Sequence, residues 1–253
     1  MKVSILSNGL AGYSSRAFLL PILTYRSEIE SEGFELSIST AYANLDFDCD
    51  VLIVEDNVYT RNYDSEEIPP KVEVLADKVD RILWFDTDDS TGTLTKGIIP
   101  IVDGYYKKQL LIDREQYCSP LWRTRSFTDY YYENYDLDTE GITKGTQIES
   151  KSDLEKLGVF WNLGYELYSP HIHKKDSLFK LIPTSLIKWL PWDWIRSSPG
   201  LWVSPKESRD IPISGRFSTS HDDEAIRFHR TLIQDKLGSR LETERISSAE
   251  YWR

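Results

Sequence analysis

Cysteine is nearly absent. Cys49 and Cys118 stand far apart in a chain of 253 residues, no Cys-x-x-Cys occurs, and neither a zinc ribbon nor a disulfide scaffold is indicated. A basic surplus is missing too. Thirty Lys and Arg against 41 Asp and Glu leave a formal net charge of -11 and a pI near 4.9. This speaks against a partner held by phosphate neutralisation, and we expect no nucleic-acid partner. A phosphate-bearing small ligand is not excluded, because a local pocket of positive potential suffices for it. No apolar run approaches the roughly 18 residues of a membrane span, and no basic segment leads into a long apolar stretch at the start. We therefore expect a cytosolic protein with two free thiols. Internal repeats and low-complexity linkers are also lacking, while 40% hydrophobic and 28% charged residues match an ordinary globular chain.

What is present is an alternation of short apolar runs and helical patterns. Lys2 to Leu6 predicts a buried strand that runs into Asn8-Gly9-Leu10-Ala11-Gly12-Tyr13-Ser14-Ser15. The next helix carries Ile22, Leu23, Arg26 and Ile29 and stops at Gly33; Pro21 either opens it or kinks an earlier start. Phe34 to Ser39 and Val51 to Val54 read as strands, the latter flanked by acids. Ile68-Pro69-Pro70 leads into a short helix around Val72 to Val79, and Arg81 to Phe85 is a fourth strand ending at Asp86-Thr87-Asp88-Asp89. Ile98 to Val102 reads as a fifth. Asp103 or Gly104 then begins a helix that mixes Lys107, Lys108 and Asp113 among Leu110, Leu111 and Ile112. Strand–helix–strand rhythm implies an α/β fold, Rossmann-like, with a mainly parallel sheet between helices.

Residues 117 to 150, rich in Tyr, Asp and Thr, read as a long insertion, and Leu154 to Leu167 as holding a short strand or helix. Asp176 to Trp189 reads as an amphipathic helix interrupted by Pro183. A domain border is expected near 203 to 210, dividing an N-terminal domain (1–205) from the start of a second (206–253). In the second, an apolar extended run, a polar loop, a helix, another short run and Ser247-Ser248-Ala249-Glu250-Tyr251-Trp252 follow one another. Two strand–helix units cannot close a core, so we expect that domain to continue past Arg253.

Several groups carry chemistry. Asn8, Gly9, Gly12 and Tyr13 lie between a strand end and a helix start, where backbone N–H groups can approach an anion. The pattern is only Gly-x-x-Gly, so a nicotinamide fingerprint is missing. The same residues suit a tight turn or a loop touching an acceptor or a donor phosphate. Asp86 and Asp88 could hold a divalent cation against a diphosphate, or simply form a solvated loop. Gly215, Arg216, Ser218, Thr219, Ser220 and His221 join a strand end to a helix start. They can cradle a diphosphate through Arg216 and the hydroxyls, or merely cap the helix, Ser220 to Asp223 having capping-box spacing. Ala225, Phe228, Leu232 and Ile233 give that helix its buried stripe. His171 and His173 lack a third ligand and read as a loop pair, and His229 as structural. Tyr130, Tyr131, Tyr132 and Tyr135 form one aromatic group and Trp189, Trp192, Trp194 and Trp202 another. Both suit core packing or sugar stacking, and the Trp group, framed by Lys188 and Arg196, also suits peripheral membrane docking.

Asn8-Gly9-Leu10-Ala11-Gly12, Trp84-Phe85-Asp86-Thr87-Asp88-Asp89, Gly215-Arg216-Phe217-Ser218-Thr219-Ser220 and the tail around Arg227-Phe228-His229-Arg230 together resemble bacterial or archaeal glycosyltransferases of surface-polysaccharide clusters, with an exostosin-like donor domain. The resemblance implies two Rossmann-like domains in the GT-B arrangement, the first binding the acceptor and the second a nucleotide-sugar. It implies no metal and no cofactor beyond the nucleotide-sugar substrate. Transfer of a sugar to a glycan is the expected activity of the full two-domain protein, with the catalytic base unassigned and these 253 residues alone expected to be inactive; a non-catalytic carbohydrate-binding or scaffold protein is the alternative.

Overall fold

The computed structural model describes residues 1–10, 12–60, 67–119, 125, 127–138, 145, 147–161, 220–221 and 223–238. β1 (Lys2–Leu6) leads through α1 (Tyr13–Thr24) and α2 (Arg26–Ser31) to β2 (Glu35–Ser39). β3 (Val51–Glu55) is followed by α3 (Asn57–Thr60), α4 (Ile68–Ala76) and β4 (Ile82–Asp86). Then come β5 (Gly104–Lys107), α5 (Thr128–Asn134), α6 (Lys151–Glu155), β6 (Leu157–Val159) and α7 (Glu224–Gly238).

The six strands form one all-parallel sheet in the order β2-β1-β3-β4-β5-β6. Chain direction across the sheet reverses between β1 and β3. In such α/β sheets, ligands favour the crevice outside the carboxyl ends of strands near that reversal. Strand side chains alternate between faces. Val3, Ile5, Val51 and Phe85 join Phe18 and Leu19 of α1 in one buried layer. Leu6, Leu52, Val54, Trp84 and Tyr105 join Val72 and Leu75 of α4 in the other. Burial on both faces explains why β3 is an unbroken apolar run, Val-Leu-Ile-Val.

The α/β architecture agrees with the pattern read from sequence, and three local expectations are corrected. Ile98 to Val102 is not a strand: Lys96–Ile98 is a 3₁₀ turn, and the strand lies at Gly104–Lys107, where a helix was expected. Gly104 and Lys107 disguise it, because one has no side chain and the other is a charge inside the sheet. The helix expected to run on to Gly33 breaks at Tyr25 into α1 and α2. Pro21 sits inside α1, where it cannot donate to Ala17. α4 starts at Ile68, earlier than the expected Val72, because Pro69 and Pro70 occupy the first turn, where no donor is needed.

The insertion contributes α5, and α7 docks on it. Phe228 packs against Tyr131 and Tyr135 with ring centroids 5.7 and 4.7 Å away, and His229 lies 4.5 Å from Phe127. Tyr132 Oη donates to Asp223 Oδ1 at 3.2 Å. Burial, with Arg230 nearby, holds the His229 imidazole below its ordinary pKa. Asp223, not Ser220, caps α7: its Oδ1 accepts the Ile226 N–H at 3.1 Å. The expected border at 205/206 and the apolar run after it lie outside the described residues. Among the described residues, no helix is long and apolar enough to cross a membrane.

Candidate functional site

In a parallel sheet all carboxyl ends share one edge, so Ser7, Glu55, Asp56 and Asp86 converge there. A cleft of about 660 Å³ opens at this edge, lined by Ser14 of α1, Asp56, Asn57, Asp86, Thr87, Asp88 and residues 93–97.

Glu55 and Asp56 are neighbours with opposite fates. Glu55 lies on the α1 face, like Val51, and is fully buried. Its Oε2 accepts Ser7 Oγ at 3.1 Å and Asn8 N–H at 3.0 Å; its Oε1 accepts Ser15 Oγ at 3.0 Å and Asn57 Nδ2 at 2.6 Å. Four donors satisfy the carboxylate and tie the loop after β1 to the end of β3. Gly9 bends that loop with φ of +74°, and a Cβ there would come within 2.9 Å of Thr40 Cγ2. Gly12 is extended ahead of α1, with φ of -92°.

Asp56 turns to the other face and lines the cleft. Its Oδ1 accepts Thr87 N–H at 3.1 Å and Thr87 Oγ1 at 2.7 Å, while Oδ2 has no hydrogen-bond partner among the described residues. The residue is only 5% exposed. Burial pushes its carboxyl up to about 8, the charges of Asp86 and Glu55 push the same way, and the bonds from Thr87 counter them only in part. Asp56 therefore keeps its proton at neutral pH. Asn57 Nδ2 also donates to Thr87 Oγ1 at 2.7 Å, which joins the ends of β3 and β4.

Register decides what Asp86 does. It pairs directly with Lys107 of β5, and Tyr105 lies on the same face. Lys107 Nζ donates to Asp86 Oδ1 at 2.8 Å and Tyr105 Oη to Oδ2 at 2.5 Å; Asp88 N–H adds a bond to Oδ1 at 2.9 Å. Lys107 is wholly buried and Asp86 nearly so. A charge pair this deep needs such surrounding donors to offset its desolvation. Burial, reinforced by the Asp86 charge, keeps the Tyr105 hydroxyl protonated far into the alkaline range. That hydroxyl also accepts Thr95 N–H at 2.9 Å, so the triad anchors one wall of the cleft. Tyr117 Oη holds the same wall by accepting Leu111 N–H and donating to Thr91 O.

Asp88 sits exposed at the rim, its Oδ1 accepting Asp89 N–H and its Oδ2 Ser90 Oγ. Burial raises the Asp89 pKa, but Lys108 and Arg125, each 3.4 Å away, outweigh it and hold the group below its ordinary value. No group of three His, Cys, Asp or Glu suited to a metal ion occurs among the described residues.

The structure thus brings the Asn8–Gly9 loop to Glu55 and the Asp86–Asp88 segment to the cleft. Tyr13 is the first residue of α1. His221 lies in the turn before α7, where its Nδ1 accepts Asp223 N–H at 3.0 Å. Ser220 precedes it, and neither lines the cleft. Gly215, Arg216, Ser218 and Thr219, with Trp189, Trp192, Trp194, His171 and His173, lie outside the described residues. Glu55, Asp56, Asn57, Tyr105 and Lys107 were not singled out from sequence. For the first pair a signal existed: an apolar run closed by two acids, whose end a parallel sheet must set beside Asp86. No family model, no curated protein and no solved structure matches this chain.

Proposed function

We propose that this chain is the acceptor-binding part of a glycosyltransferase, and that the cleft at the ends of β3 and β4 receives a saccharide hydroxyl. One observation carries the reading: Asp56 is a buried carboxyl with an unoccupied oxygen at the cleft and a proton affinity shifted towards neutrality. Catalytic acids and bases favour such values. In the proposed step the ionised Asp56 takes the proton of the acceptor hydroxyl through Oδ2. The freed oxygen bonds the anomeric carbon of the donor, and the bond from that carbon to the diphosphate breaks, the electron pair leaving with the nucleoside diphosphate. Thr87 holds Asp56 by its other oxygen throughout.

The donor side belongs to the proposed second domain of a GT-B arrangement, with Gly215, Arg216, Ser218, Thr219, Ser220 and His221 around the diphosphate. Trp189, Trp192 and Trp194 would bring the enzyme to a membrane-bound glycan. The nucleotide-sugar is the only small molecule the reaction requires.

The test is release of UDP or GDP from UDP-glucose or GDP-mannose on adding an oligosaccharide mixture, compared between the wild type and Asp56→Asn in a protein that carries a complete donor domain. The expected result is acceptor-dependent release that rises with pH to a plateau above about 8 and drops at least 100-fold in the variant, the lower end of the usual contribution of such a group, about 10²–10⁴. Saccharide binding without nucleotide binding or release would favour a non-catalytic carbohydrate-binding protein.

A further inference from the structure

We propose that the cleft is charge-selective: it accepts a saccharide that is neutral or carries an amine, and rejects phosphate, sulfate and uronate groups. This deepens the acceptor reading above and rests on it.

In the loop after β1, an α/β protein with a phosphate ligand would place the anion against backbone N–H groups and the first turn of a helix. Here the protein supplies that anion itself. Glu55 takes the Asn8 N–H and the hydroxyls of Ser7 and Ser15 from the loop and from α1. A diphosphate arriving at this turn would meet a carboxylate that already holds those donors.

The remaining walls tell the same story. Lys96 is the one Lys or Arg among the described residues that line the cleft, and its Nζ lies 2.8 Å from Glu149 Oε1. Lys107 is bound to Asp86, and Lys108 and Arg125 to Asp89. Among the described residues no cation balances Asp88, whose oxygens accept only Asp89 N–H and Ser90 Oγ. Deeper in the cleft, Asp56 is nine-tenths buried as a residue and its Oδ2 has no partner among the described residues, while Asn57, Thr87, Thr93 and Thr95 supply neutral polar neighbours. A hydroxyl-bearing ligand can exchange hydrogen bonds with this set. An anion gains no free cation among the described residues and faces the field of Asp88.

The experiment follows the backbone amides of Asn57, Thr87 and Thr95 in the labelled chain by NMR. The probes are neutral oligosaccharides, chitosan oligomers, oligouronates, hexose 6-phosphates, pyrophosphate and UDP. The expected result is a shift of these amides with neutral or amine-bearing sugars, at least tenfold tighter than with their anionic counterparts, and none with pyrophosphate or UDP. In Asp88→Asn the gap between neutral and phosphorylated sugars should narrow about fivefold, the order expected for one partly screened charge. Anionic sugars binding at these amides as tightly as neutral ones would overturn the charge selectivity and leave the acceptor reading standing. UDP moving them, or no saccharide of any class doing so, would overturn both.

Discussion

Asp56 makes an energetic prediction that needs no ligand. The unfolded chain loses the Asp56 proton near the ordinary value of 3.8, and the folded protein keeps it to about 8. Between these limits the native state binds a proton that the unfolded state has released, so stability falls as pH rises. The contribution is fully present below about 4 and gone above about 8. Each pH unit in that window is worth about 1.4 kcal/mol, and the whole span about 6 kcal/mol as an order of magnitude. Asp56→Asn keeps an acceptor for Thr87 and has no charge to desolvate. Urea unfolding of both proteins from pH 4 to pH 9 should show a difference that starts near zero, grows in favour of the variant and levels off near pH 8. Groups that do not touch Asp56 contribute equally to both proteins and cancel in the difference. A difference independent of pH would refute the reasoning, because it would mean that Asp56 is already ionised in the fold at low pH.

Lys107→Met leaves the buried carboxylate of Asp86 without its cation, and should cost about 3–5 kcal/mol, roughly 10 °C in thermal midpoint for a chain of this size. Adding Asp86→Asn should recover most of that loss, and calorimetry of the two variants checks the coupling. Glu55→Gln turns an amide N–H₂ towards donors that now meet a carboxylate. A loss of about 2 kcal/mol is expected, with faster hydrogen exchange at Asn8 than at β3. Tyr132→Phe removes the hydroxyl that bonds Asp223 and Ala225 at the start of α7. Exchange at Ala225 and Ile226 should quicken by about tenfold, corresponding to one net hydrogen bond, while β1 and β3 stay protected.

Four of the strands were legible because each is a local property. Lys2–Leu6 and Val51–Glu55 are compact apolar runs, and the helical patterns between them leave a parallel sheet as the economical topology. β5 was not legible, since Gly-Tyr-Tyr-Lys has neither an apolar run nor simple alternation. It becomes a strand because β4 and β6 offer ladders on both sides and because Asp86 waits opposite Lys107. In sequence, Lys107 and Lys108 look like the same surface charge; register buries the first and leaves the second at the rim.

The site divides the same way. Asp86 and Asp88 stood out at a strand end, but the partners that occupy Asp86 come from β5, beyond any local motif. Glu55 and Asp56 are chemically similar neighbours, and only the pleat sends one to four donors and the other to the cleft wall beside Asp86. The helix over Glu224–Gly238 was readable from its stripe; its docking on the Tyr-rich α5 was not. Periodicity, turn residues and composition act over a few positions, so the sequence by itself determined most element types, the α/β class and the acidic balance. Ion pairs, proton affinities and the cleft depend on groups tens of residues apart, and their separations exist only once the tertiary structure has set the register.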